Sequence, residues 1–142
     1  MKKNISTVIF LILALNVFSS EPANNLGRSF SSMIDEWSDL SYINTVGDRI
    51  VYGTQDDGTY YIFTFENGVL VEECMMVEST DGFAKMWHNA VLESFYKSKF
   101  RTITRTSNGV KFRYSYFYVK VMYFSDKNKN TSLVIYTTNE TD

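Results

Sequence analysis

Reactive side chains are scarce in this chain: of 142 residues, one is cysteine, one is histidine and one is proline. Cys74 alone cannot close an internal disulfide, so the fold has to stand on packing. One cysteine and one histidine cannot fill a tetrahedral zinc site without two carboxylates brought in by chance, so no metal is expected. The glycines at 53, 58, 68 and 109 are isolated turn residues, which leaves no phosphate-cradling loop and no dinucleotide fingerprint. No cofactor is expected. Only one long apolar run exists, from Val8 to Leu15 with Val17 and Phe18 beyond it. It falls short of the roughly 20 residues that a spanning helix needs.

That run is preceded by Lys2 and Lys3 and followed by Val17-Phe18-Ser19. A basic start, a short apolar core and a small-residue exit predict a secretory signal over 1–19, cut after Ser19 or one residue on. Export to a periplasm or out of the cell is the corresponding localisation. The remainder is about right for one hydrophobic core. With 44% apolar and 16% aromatic residues, disorder is excluded. The expected plan is a flexible lead-in over 20–25, one α+β domain over 26–137, and a fraying tail over 138–142.

Charge is uneven along the chain. Residues 21–80 hold eleven acids against Arg28 and Arg49, whereas residues 81–142 hold ten bases against five acids. The halves therefore carry formal charges of −9 and +5. They would attract one another within the fold or across a homo-oligomeric contact, and could steer a charged partner.

Apolar residues at Leu26, Phe30, Met33, Ile34, Trp37 and Leu40 follow a 3.6-residue period and predict a helix over 26–38. Strands are expected at 41–45, 49–53, 59–65 and 69–78. Asn67-Gly68 supplies the left-handed dihedrals of a hairpin turn between the last two. Ser79 to Gly82 then offer caps for a second helix over 82–96, whose stripe is Phe83, Trp87, Ala90, Val91 and Phe95. Strands resume at 99–106, turn at Asn108-Gly109, run on through Lys111–Phe124, and end with 132–137.

Both halves read as a helix followed by an antiparallel meander, with "NGVLVEE" and "NGVKFRY" in comparable places. An internal repeat over 26–78 and 82–137 is the corresponding expectation. One sheet with both helices on a single face would follow, leaving the other face free. This layout resembles the small secreted inhibitors of the beta-lactamase-inhibitor type and, more loosely, the saddle of the TATA-binding protein. The resemblance implies a sheet surface that grips a partner. It departs in one respect, since those inhibitors are held by disulfides. The alternative architecture is a cone of the NTF2 (nuclear transport factor 2) type, with a helix layer closed over a curved sheet.

Catalytic chemistry finds little to work with, and no catalytic residue is assigned. His88 lies one position off the apolar stripe of the second helix, where boundary packing or capping is the ordinary role. Cys74 sits within a strand and is expected as a buried, inert thiol. Asp126-x-Asn128-x-Asn130 begins like a calcium loop, but Thr131 replaces the turn glycine and no carboxylate closes it, so it reads as a polar turn. Glu72 and Glu73 point to opposite sides of a strand and cannot act as a catalytic pair. Nucleic acid is disfavoured by the export signal and the net-acidic chain, although basic residues and rings do alternate in the second half.

That alternation is densest in "KFRYSYFYVKVMYF", Lys111 to Phe124. Lys111 and Arg113 share one parity; Lys120 falls on the other. A bulge or tight bend near 115–118 would reconcile them. The leading expectation is a non-catalytic binding domain for a protein or glycan, with Lys111, Arg113, Tyr116, Tyr118 and Tyr123 as contacts. One alternative is a small enzyme or ligand carrier whose pocket holds His88 with some of Asp35, Tyr61 and Arg113. The other is a self-associating envelope component in which acidic and basic halves pair between copies.

Overall fold

A computed structural model describes residues 21–140. The expected signal over 1–19 and the last two residues of the tail lie outside them. The elements run α1 (Phe30–Glu36), β1 (Ser41–Val46), β2 (Arg49–Asp56), β3 (Thr59–Glu66), β4 (Val69–Ser79), α2 (Phe83–Lys97), β5 (Thr102–Arg105), β6 (Gly109–Arg113), β7 (Tyr118–Ser125) and β8 (Asn130–Thr137). The protein is α+β, with one open, eight-stranded antiparallel sheet in the order β1-β2-β3-β4-β8-β7-β6-β5. Two four-stranded meanders thus meet along β4 and β8, whose register runs from Glu72 opposite Thr137 to Ser79 opposite Asn130.

The second helix forms where expected, but its buried face is Ala84, His88, Val91 and Phe95. Of the expected stripe, Val91 and Phe95 are buried and Trp87 is half-buried, whereas Phe83 and Ala90 are exposed. Asp81 and Ser79 accept hydrogen bonds from the amides of Phe83 and Ala84, satisfying two donors that a helix start leaves open. The first helix is shorter than its stripe. Ser29 accepts from the Ser32 amide as N-cap, and Gly27 sits at φ +88°. Residues ahead of the cap pair with β4 instead, Gly27 N donating to Leu70 O and Leu70 N to Arg28 O. The segment expected as a flexible lead-in is tied down in the same way: Glu21 accepts from Ser115, and Glu73 accepts from both the amide and the side chain of Asn25.

The stretch from Lys111 to Phe124 is two strands. β6 ends at Arg113, the chain reverses through Tyr114–Phe117, and β7 returns antiparallel with Phe112 opposite Val119. The Tyr114 amide donates to Phe117 O across the reversal, and the two rings stack at 4.8 Å with 14° between their planes. The shift in polar parity is therefore a hairpin: after a reversal, residues of opposite parity share a face. The two Asn-Gly turns are also not equivalent. Asn67-Gly68 joins β3 to β4, whereas Asn108-Gly109 lies at the turn from β5 to β6. Gly109 is needed there because a Cβ would stand 2.0 Å from Val121 O.

Register sorts the side chains. Phe63, Glu73, Tyr136, Val119 and Phe112 lie directly opposite one another across β3, β4, β8, β7 and β6. This is the ring face: Trp37 meets Tyr61 and Phe63, and Phe95 meets Phe112 and Tyr136. The core lies here, with Phe63, Tyr136, Val119 and Phe112 all buried. One residue along, Ile62, Cys74, Ile135, Lys120 and Lys111 form the matching row of the opposite, lysine face.

Candidate binding face

The lysine face is built by β-strand alternation alone, since every second residue of β3, β4, β8, β7 and β6 must point to it. Beside the row ending in Lys120 and Lys111 runs a second, Tyr60, Met76, Leu133 and Met122. A third contains Glu72, Thr137, Tyr118 and Arg113. The result is a half-buried apolar centre of isoleucine, leucine, methionine and the Cys74 thiol, with a basic, tyrosine-bearing flank.

The flank has an unusual feature. Lys111 and Lys120 are direct cross-strand partners. Like charges so placed cost on the order of 0.2–1 kcal/mol. Lys120 is only 9% exposed. Among the described residues neither lysine makes an ion pair, and neither does Arg113. Lys111 Nζ donates to Glu140 O at 3.4 Å and lies 5.7 Å from the Tyr118 ring centre. Glu72 and Glu78 share this face but stand on β4, two strands from β7, and Glu78 is engaged by Lys129 at 2.9 Å.

Of the residues expected as contacts, the structure gathers Lys111, Arg113 and Tyr118 on this face. Tyr116 sits in the adjacent hairpin turn, 90% exposed. Tyr123 belongs to the other face: it is paired with Ser132, its ring lies 5.2 Å from His88, and Lys85 caps it at 4.4 Å. Lys120 was not among those expected. Only the hairpin reversal reveals it as the neighbour of Lys111, and its parity mismatch with Lys111 was the signal available in the sequence.

Cys74 lies in the middle of the apolar centre. Burial, with the nearby Glu72 charge adding to it, pushes the thiol up to about 12, so the nucleophilic thiolate is withheld at neutral pH.

The residues expected to line a pocket are dispersed. His88 is buried beneath α2, its Nδ1 3.2 Å from Ser132 Oγ; burial, then the Lys85 charge, pushes its titration below the usual value. Asp35 is exposed on α1. Tyr61 is buried against Trp37 on the ring face, and Arg113 is exposed on the lysine face. A groove of about 330 Å³ lies elsewhere, lined by Phe30, Asp48, Ile50, Tyr52, Phe65, Asn67 and Gly68. No group of three or more histidine, cysteine or carboxylate side chains suited to a metal occurs among the described residues. In the turn from β7 to β8, Asp126 instead accepts the Asn128 amide at 2.8 Å.

No protein-family model matches this sequence, and no curated protein does. Among solved structures, a cysteine-rich secretory protein from Staphylococcus aureus subsp. aureus Mu50 is similar in fold, with a TM-score of 0.54 and 14% identity. The match covers 88% of this chain and 50% of that one, so this chain spans about half that protein's length. At such identity the likeness concerns the fold alone. Among the described residues, no helix is long and apolar enough to cross a membrane.

Proposed function

We propose that this protein is an exported, non-catalytic binding domain, with both helices on the ring face and the lysine face left to meet a protein partner of mixed acidic and apolar surface. The observation that carries this reading is the Lys111–Lys120 pair, two cations held opposite one another with no ion pair to either among the described residues. Folding gains nothing from that arrangement. A carboxylate from outside, set between the two ammonium groups, would convert the mutual repulsion into two charge-assisted contacts.

The rest of the face argues for protein over glycan. Met76, Met122, Leu133 and Ile135 form an apolar floor, and methionine adapts its shape to whatever lies on it. Tyr118 and Tyr116 provide rigid area with a hydroxyl at the tip, the combination that interfaces favour. Export rests on the basic start and apolar run of residues 1–19, an argument from sequence.

The test is an amide chemical-shift titration with a peptide that alternates glutamate and leucine, run beside a sulfated oligosaccharide. Shifts should cluster on β6, β7 and β8 with the peptide, and a Lys111→Ala/Arg113→Ala variant should weaken binding about thirtyfold, since each of two charged contacts contributes on the order of 1 kcal/mol. Binding of the oligosaccharide alone would move the proposal to a glycan. Shifts confined to α1 and the groove beside Ile50 would refute the lysine face as the site.

A further inference from the structure

The two edges of the sheet differ in a way that the binding face does not explain. β1 is uncharged and exposed along its whole length, with Tyr42, Ile43 and Val46 between 54% and 62% exposed. It carries neither the lysine nor the proline with which natural edges commonly deter a second strand. Acids stand at both of its ends: Asp39 before it and Asp48 after it. β5 is only four residues long and is bracketed by bases, Lys99 and Arg101 before it and Arg105 at its end.

These end charges are unspent inside the molecule. The ion pairs among the described residues are Arg28–Glu36, Arg49–Glu66, Lys97–Glu93 and Lys129–Glu78, and none uses Asp39, Asp48, Lys99, Arg101 or Arg105. Asp39 accepts only a hydroxyl, from Thr54 at 2.9 Å, and Arg105 lies over the Tyr96 ring at 5.9 Å.

Topology adds an independent constraint. Because all pairings are antiparallel and the strands number eight, the outermost two, β1 and β5, run in opposite directions. A second copy set alongside, in the same orientation, would continue the alternation without a break. Antiparallel pairing of β1 with a neighbour's β5 brings Asp39 toward Arg105 and Asp48 toward Arg101 and Lys99. Pairing β1 with β1 would instead oppose Asp39 to Asp48, and pairing β5 with β5 would oppose Arg101 to Arg105.

We infer that the β1 edge of one molecule takes the β5 edge of a second copy, head to tail, extending the sheet from chain to chain. Main-chain hydrogen bonds supply the attachment, as in other strand additions, and the end charges choose the partner edge. The contact is short, because β5 offers four residues and a bulge between Tyr42 and Asn44 interrupts β1. It is also heterologous, so its product is an open string and not a closed dimer. Exposed ion pairs make it sensitive to salt.

Charge reversal tests this with the protein as purified from an expressing cell. Sedimentation at low salt should show mass rising with concentration for the wild type and falling back to one chain at high salt. Arg101→Glu/Arg105→Glu makes both edges acidic, Asp39→Lys/Asp48→Lys makes both basic, and each variant alone should stay monomeric. Mixed in equal amounts they should assemble, since every unlike contact is restored. All four positions are exposed, so circular dichroism should show unchanged folds; Val46→Lys, placing a charge in the β1 edge itself, provides a second block. A wild type that stays monomeric at low salt overturns the inference. So does a dimer that persists in Arg101→Glu/Arg105→Glu, which would mean β1 pairing with itself, or a mixture of the two variants that fails to assemble.

Discussion

The two faces of this sheet are made from the same strands, yet they answer to different constraints. On the ring face, the row Phe63, Glu73, Tyr136, Val119 and Phe112 contains one charge, and that carboxylate is bound by Asn25. The next row, Ile62, Cys74, Ile135, Lys120 and Lys111, sets two lysines opposite one another, and among the described residues neither makes an ion pair. The difference teaches where to look for function: a polar group satisfied by its own chain is structural, and one that its own chain leaves opposed by a like charge is available to something else.

The sharpest contrast between the faces should be in stability. Phe112 is fully buried and touches Phe95, Tyr96 and Phe100. Phe112→Ala should cost about 3–5 kcal/mol in urea unfolding, while Lys111→Ala, its neighbour on the other face, should change stability by less than about 0.5 kcal/mol. Equal costs would mean that the lysine face is as structural as the ring face.

A subtler difference lies in pH dependence. Burial raises the Glu73 carboxyl above its ordinary 4.5, against the opposing effects of Asn25 and then Arg28. The folded state then holds that proton more tightly than the unfolded one, so stability falls as pH rises from about 4.5 through the raised value and levels off beyond it. Glu73→Gln should flatten that part of the profile, measured by thermal unfolding from pH 4 to 7. An identical slope in the variant would remove Glu73 from the explanation.

Cys74 reports on the lysine face directly. With its thiol pushed up to about 12, alkylation near pH 8 should be far slower than that of a free thiol. A peptide bound on the face should slow it further. Labelling as fast as a free cysteine, or untouched by saturating peptide, would contradict this placement.

Part of the ring face was legible in the sequence, because the alternation of Tyr61, Phe63 and Phe65 is a periodic signal that burial enforces. The second helix was legible as a helix, but its buried face turns toward Ala84 and His88 and leaves Phe83 and Ala90 of the stripe exposed. The Asn67-Gly68 turn was legible too: Asn67 at φ +52° and Gly68 at +74° adopt the left-handed dihedrals those residues tolerate. The first helix was overread. Leu26 fits the stripe, but Gly27 breaks the chain away into hydrogen bonds with β4 that no local pattern announces.

The lysine face was harder. The reversal at Tyr114–Phe117 contains no glycine, proline or asparagine and is held by stacked rings, so it read as a bend within one strand. That hid the pairing of Lys120 with Lys111 and placed Tyr123 among the contacts, although it packs against His88. Register is a long-range property, and side-chain parity fixes a face only after the turns are known.

Lys120 is the residue that most separates a binding role from a structural one, and Lys120→Met tests both in one sample. The variant keeps an unbranched apolar side chain of similar length and removes the opposed charge, so thermal stability should stay level or rise, by up to about 1 kcal/mol. Affinity for the glutamate–leucine peptide should fall severalfold in the same preparation. Opposite movement of stability and affinity is the predicted result; a drop in stability with unchanged affinity would show that the lysine serves the fold and not a partner.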